Sequence, residues 1–96
     1  MLTSKQRAYL RGMGSSLDTI FQIGKGGVTE EICRRIAEAL EARELIKCRV
    51  LDSCEYNAYE AANAIAEAIG ADAVACVGSR FLLYQESEKK KRIELP

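Results

Sequence analysis

Apolar and polar positions along this chain switch between two periods, and the switches outline seven elements. Thr3-Ser4-Lys5-Gln6 has the layout of a capping box, with Thr3 as N-cap and Gln6 reaching back. It predicts a first helix to about Arg11, stopped by Gly12 and Gly14, with Ser15 and Ser16 continuing the turn. Thr19-Ile20-Phe21-Gln22-Ile23 is a short β-rich run. Thr29 then suits an N-cap, with Glu30 and Glu31 in the first turn and Val28 and Cys33 spaced as a hydrophobic staple. Ile32, Ile36 and Leu40 recur every four residues and mark the buried stripe of this second helix. From Leu45 to Leu51 the period drops to two, with Ile46, Cys48 and Val50 on one face and Lys47 and Arg49 on the other, as in a half-buried strand.

Asp52-Ser53-Cys54-Glu55 reads as a turn, and Ala58, Ala61, Ala62, Ile65 and Ile69 line one side of a third helix from about Asn57, closed by Gly70. Ala73–Val77 and Phe81–Tyr84 flank Gly78-Ser79 as a hairpin. Glu86 to Lys91 reads as a charged, mobile segment before Ile93-Glu94-Leu95-Pro96. The order α-β-α-β-α-β-β predicts a single α/β domain over residues 1–96. Helical crossovers imply a parallel pair and the hairpin an antiparallel one, so a mixed four-stranded sheet with packed helices follows.

A chain of 96 residues holds one core and not two. No apolar run approaches the ~20 residues of a membrane span, so no membrane partner is expected. The segment Met1 to Arg7 lacks a basic-then-apolar signal layout, which makes cytoplasm the expected location. Cys33, Cys48, Cys54 and Cys76 form no CxxC pair and the chain has no histidine, so neither a metal nor a disulfide framework is expected. Cys33, Cys48 and Cys76 fall at apolar positions and read as core residues, whereas Cys54 lies in a polar loop as a candidate reactive thiol.

The candidate chemistry lies between the first strand and the second helix. In Gln22-Ile23-Gly24-Lys25-Gly26-Gly27-Val28-Thr29, Gly24 and Gly27 frame a GxxG loop with Lys25 at its tip. Glycines permit positive φ and close approach, and the following helix aims free N–H groups and its positive dipole end at the loop. This combination suits a phosphodiester backbone, as in the GxxG loop of KH domains. A nucleotide-binding Walker loop needs G-x-x-x-x-G-K-[ST], which is absent, and no cofactor is expected.

Three basic groups could extend such a site: Lys5, Arg7 and Arg11 on the first helix, Lys47 and Arg49 on a strand, and Lys89-Lys90-Lys91-Arg92 near the C-terminus. Each alone reads as a solvated face. Arg34 and Arg35 read as partners of Glu38 and Glu31 at (i, i+4). Phe21 and Phe81 read as core, while Tyr56 and Tyr59 could be exposed. An enzyme is not expected, because the chain has no histidine base and no recognisable nucleophile motif.

Four collinear segments carry a family resemblance. They are Leu2-Thr3-Ser4-Lys5-Gln6-Arg7 with Leu10-Arg11, then Gln22 to Glu30, then Glu44-Leu45-Ile46-Lys47, and last Val77-Gly78 with Leu83-Tyr84 and Ile93-Glu94-Leu95-Pro96. The chain resembles the YhbY-like, single-domain members of the CRM (chloroplast RNA splicing and ribosome maturation) RNA-binding family. The resemblance implies a fold similar to the C-terminal domain of translation initiation factor three. It implies RNA as partner, ribosomal RNA in precursors of the large ribosomal subunit, and no DNA. It also implies a loop site of Gly24, Lys25, Gly26 and Gly27, with Lys5, Arg7, Arg11 and Lys47 as phosphate contacts.

The chain departs from its relatives in Gln85 after Leu83-Tyr84, in Asp18 before the first strand, and in charge. Fourteen basic residues balance fourteen acidic ones, whereas RNA-binding surfaces are typically basic. With Glu30 and Glu31 beside the loop, this supports an alternative: a ribosome-associated protein-interaction module with little RNA affinity.

Overall fold

Each of the three helices begins at a side-chain cap. Thr3 Oγ1 accepts from Gln6 N–H at 3.1 Å while Gln6 Oε1 accepts from Thr3 N–H at 3.1 Å, which starts α1 (Ser4–Gly14). Thr29 Oγ1 accepts from Ile32 N–H at 3.2 Å and starts α2 (Glu30–Arg43). A second capping box, Asn57 with Glu60, starts α3 (Ala58–Ile69). Gly70 ends α3 at φ +74, where the left-handed backbone favours glycine. Between the helices lie β1 (Thr19–Ile23) and β2 (Leu45–Val50), followed by β3 (Asp72–Val77) and β4 (Arg80–Tyr84). This computed structural model describes residues 2–96.

The sheet order is β1-β2-β4-β3, with β1 and β2 parallel and the other two pairs antiparallel. One face carries the main core, in which Ile23, Ile46, Cys48, Phe81 and Leu83 meet Ile36 and Leu40 of α2 and Ala61, Ala62 and Ile65 of α3. The alanine stripe of α3 lets that helix lie close to the sheet. Burial pushes the Cys48 thiol up to about 12, so this cysteine is a small core hydrophobe. The opposite face carries a smaller cluster of Leu10 from α1, Leu45, Val74, Leu82 and Tyr84 from the strands, and Ile93 from the C-terminal segment.

The expected fold is the observed one, with local corrections. α1 runs three residues past Arg11 to Gly14. Gly12 lies on the exposed side, and Gly14 is buried against Leu82, where a Cβ would sit 2.4 Å from Cδ1. A glycine in that place is a packing device, and it brings the helix end down onto the sheet. Cys76, expected in the core, is exposed. It sits on edge strand β3 near the hairpin, where Tyr59 and Asn63 border an open groove instead of covering it. Phe21 is only partly buried, and Arg35 lies over its ring at 5.5 Å instead of pairing with Glu31. Arg34 and Glu38 do pair, at 3.3 Å.

The C-terminal segment is the largest departure. Glu44, at the C-cap of α2 with φ 68, is fully buried. Its carboxylate accepts from the N–H groups of Ser87, Arg92 and Ile93 at 2.7, 2.6 and 2.7 Å. Glu41 accepts from the Ser87 hydroxyl and from the Glu88 and Lys89 N–H groups. Two carboxylates therefore clasp a segment whose charge alone suggested mobility.

Candidate functional site

The Gly24–Gly27 loop is a tight turn, closed by Gly27 N–H donating to Gly24 O at 2.9 Å. Of its glycines only Gly27, at φ +70, needs a backbone that other residues avoid. Gly24 lies in ordinary contact with Leu51 and Ser53, 3.5 and 3.6 Å from where its Cβ would be. Gly26 has neither constraint: its φ is ordinary and a Cβ there would meet nothing within 4 Å. Lys25 and Gly26 are exposed, and the turn leads into the capped N-terminus of α2.

Strand register sets what surrounds the loop. Ile23 pairs with Val50, and Leu51 N–H donates to Ile23 O at 2.9 Å, so β2 ends beside the turn. Val50 N–H donates to Ser79 O at 2.7 Å, which brings the β3–β4 hairpin to the same end. One end of the sheet thus gathers the glycine turn, the Asp52–Asn57 loop and the hairpin.

The face under α1 is basic at this end. Side-chain alternation puts Lys47 and Arg49 on the opposite side from Ile46, Cys48 and Val50. Arg49 pairs across the strands with Arg80, which shares the parity of Leu82. Arg11, Lys47 and Arg80 line a slot of about 250 Å³ floored by Gly14, Ala75, Val77 and Leu82. Lys47 Nζ also donates to Ser15 O at 3.3 Å, at the negative end of α1. None of Lys25, Arg11, Lys47, Arg49 and Arg80 forms a salt bridge among the described residues. α1 carries no acidic side chain, whereas Glu30, Glu31, Asp52 and Glu55 lie at the start of α2 and in the loop before α3. The zero net charge hides this one-sided arrangement.

The nine residues singled out from the sequence have three fates. Gly24, Lys25, Gly26, Gly27, Arg11, Lys47 and Arg49 lie at or towards the end just described. Lys5 is exposed in the first turn of α1, six residues and about 9 Å of helix rise from Arg11. Arg7 is engaged within the fold: its guanidinium donates to Ala73 O and Val74 O at the bulge of edge strand β3. Arg80 was missed, although its position two residues after Gly78 and its parity with Leu82 were available signals. Gln85 caps α3, donating to Ile69 O and Gly70 O at 3.1 Å.

The CRS1 / YhbY (CRM) domain model matches residues 2–85. The chain belongs to the CRM domain family. The Probable RNA-binding protein YqeI of Bacillus subtilis is 47% identical to this CRM domain over 96 residues, covering all of both chains. An RNA-binding protein of Haemophilus influenzae is 34% identical over 95 residues, 99% of this chain and 95% of the relative. Among solved structures, a Staphylococcus aureus protein described as a hypothetical RNA-binding candidate superposes with TM-score 0.80 at 43% identity, with full coverage of both chains. CRM membership and this neighbour account for the α-β-α-β-α-β-β order seen here.

Proposed function

We propose that this CRM domain binds RNA through its phosphodiester backbone, with Lys25 and the glycine turn seated on one phosphate group. Arg11, Lys47, Arg49 and Arg80 neutralise neighbouring phosphates along the α1 face. The target in this reading is ribosomal RNA in large-subunit precursors, met in the cytoplasm, with no catalytic step. What carries the proposal is an open glycine turn, a helix N-terminus, Arg49 and Arg80 gathered at one end of the sheet, with Arg11 and Lys47 further along the α1 face and none of the four cations in an ion pair among the described residues. The RNA-binding names of the relatives support the partner class.

Binding to large-subunit ribosomal RNA fragments across a salt series tests it. Lys25→Ala should weaken binding to all sequences and flatten the salt slope by about 0.7 to 0.9 for the lost contact. A folded variant with wild-type affinity and slope would remove Lys25 from the interface. A second reading rests on the apolar floor of the slot and on Val77, which is 72% exposed beside it. It makes that face a protein-docking surface, and it predicts a partner retained after nuclease and high salt.

A further inference from the structure

The Asp52–Asn57 loop does more than abut the glycine turn. Cys54 N–H donates to Leu51 O at 3.0 Å, closing a turn at one end, and the Asn57–Glu60 capping box fixes the other end. Only Glu55 and Tyr56 lie between these two anchors, so their backbone has little freedom. Both line a groove of about 260 Å³ whose other wall is Lys25, Gly26, Gly27 and Val28. Tyr56 is 43% exposed, and Glu55 is exposed with no hydrogen-bond or ion-pair partner among the described residues. An aromatic face, an acceptor-only carboxylate and a cationic glycine turn therefore share one groove.

Each component selects the same ligand class. An exposed ring beside a phosphate-seating turn offers a stacking platform for the base attached to that phosphate. A carboxylate accepts hydrogen bonds and donates none, so it favours a base edge that presents an amino group, as cytosine N4 does. A carboxylate placed here disfavours a purely electrostatic role for the groove. It makes sense as a reader of the base, with Lys25 holding the phosphate on the opposite wall.

We propose that the groove between the glycine turn and the Glu55-Tyr56 loop is a subsite for one unstacked, amino-bearing nucleobase of single-stranded RNA. Tyr56 stacks on the base and Glu55 accepts from its amino group. The inference rests on the RNA-binding reading above and adds a specificity to it.

Fluorescence anisotropy with labelled oligocytidine and oligouridine, at several salt concentrations, tests the subsite. The wild-type chain should bind oligocytidine more tightly. Tyr56→Ala should weaken binding roughly 5- to 150-fold, the loss of one base stack, with the salt slope unchanged. Tyr56→Phe should restore most of the affinity, and Glu55→Gln should erase the preference for cytidine. Wild-type affinity in a folded Tyr56→Ala variant, alongside a weakened and flattened Lys25→Ala variant, overturns the subsite and leaves the RNA reading standing. Failure of the wild-type chain to bind either oligonucleotide or ribosomal RNA at low salt overturns both.

Discussion

The two ends of the sheet treat polar groups in opposite ways. At the glycine-turn end, Lys25, Arg49, Arg80 and Glu55 stand without ion-pair partners among the described residues, and Lys25 and Gly26 of the turn are exposed. At the other end, a fully buried carboxylate, Glu44, is saturated by three backbone N–H donors, and Glu41 takes three more donors from Ser87, Glu88 and Lys89. Buried charge is costly unless it is hydrogen-bonded, so removing these donors or their acceptor should destabilise the fold, although the Tyr84 hydroxyl at the same end is buried without a partner among the described residues. Exposed, unpartnered charge adds little to stability and remains available to a ligand. The contrast separates residues that hold the chain together from residues that the proposed function assigns to a partner, although both sets are strongly polar.

Breaking the saturated end should produce the largest effect. Glu44→Gln removes the charge that three amides share and turns an amide group towards them. The expected loss is about 3 kcal/mol, because buried donors left poorly paired cost roughly 1–3 kcal/mol each. Thermal unfolding should show a fall of roughly 10 °C or more for a domain of this size. An unchanged melting point, with Ser87 and Ile93 amides still protected from exchange, would defeat the clasp. Glu44→Gly should be milder than Glu44→Ala by about 1 kcal/mol, since φ 68 suits glycine.

The same clasp sets an acid limit. Burial pushes the Glu44 carboxyl up, but the Ser87, Arg92 and Ile93 N–H groups and nearby Lys91 outweigh it and hold the group below its ordinary 4.5. The Glu41 carboxyl is also lowered, chiefly by the Ser87 hydroxyl and then by the Glu88 N–H. A group whose pKa is lower when folded stabilises fully above its unfolded value and loses that contribution as pH falls through the folded one. Stability should therefore hold from neutrality down to about pH 4.5 and decline below it, with the C-terminal segment loosening first. Amide exchange of residues 87–93 against pH would show this, and a segment released above pH 5 would contradict it.

An intermediate effect is expected where α1 meets the sheet. Gly14→Ala places a methyl group 2.4 Å from Leu82 Cδ1 and 3.1 Å from its Cγ, against a side chain that is itself buried. Leu82 must change rotamer or the helix end must lift, at roughly 1–3 kcal/mol. Because Gly14 also floors the slot beside Arg11, Lys47 and Arg80, the variant should lose some RNA affinity as well. Full stability in urea unfolding would show that the helix end has room the packing does not suggest.

What was legible in the sequence was whatever depends on neighbours along the chain. The Thr3–Gln6 box, the Ile32–Ile36–Leu40 stripe, the alternation from Leu45 and the glycine turn are local patterns, and each element appeared where its pattern stood. The misses required knowing what arrives from far away. Gly14 is silent about Leu82, and Glu44 is one acidic residue among fourteen until residues 87–93 return to it. The bulge at Val74 drew Arg7 inward, which residue type and helical spacing could not reveal. Arg80 became visible as part of the basic face only when hairpin register set it opposite Arg49.

The smallest effect on stability is expected at Gly26, and there the two roles come apart most clearly. Its backbone asks for no glycine and its missing Cβ would touch nothing. Gly26→Ala should leave the fold intact and even stabilise it by about 0.4–1 kcal/mol, through lost freedom in the unfolded chain. If the glycine serves the fold, nothing further should change. If it serves the approach of a phosphate, the added methyl group stands where the ligand backbone would lie, and ribosomal RNA affinity should fall severalfold while the melting point rises. Stability and binding moving in opposite directions in one variant would separate the two ends by function. A variant that binds as well as wild type would leave Lys25 as a charge at the turn and remove close approach from the account.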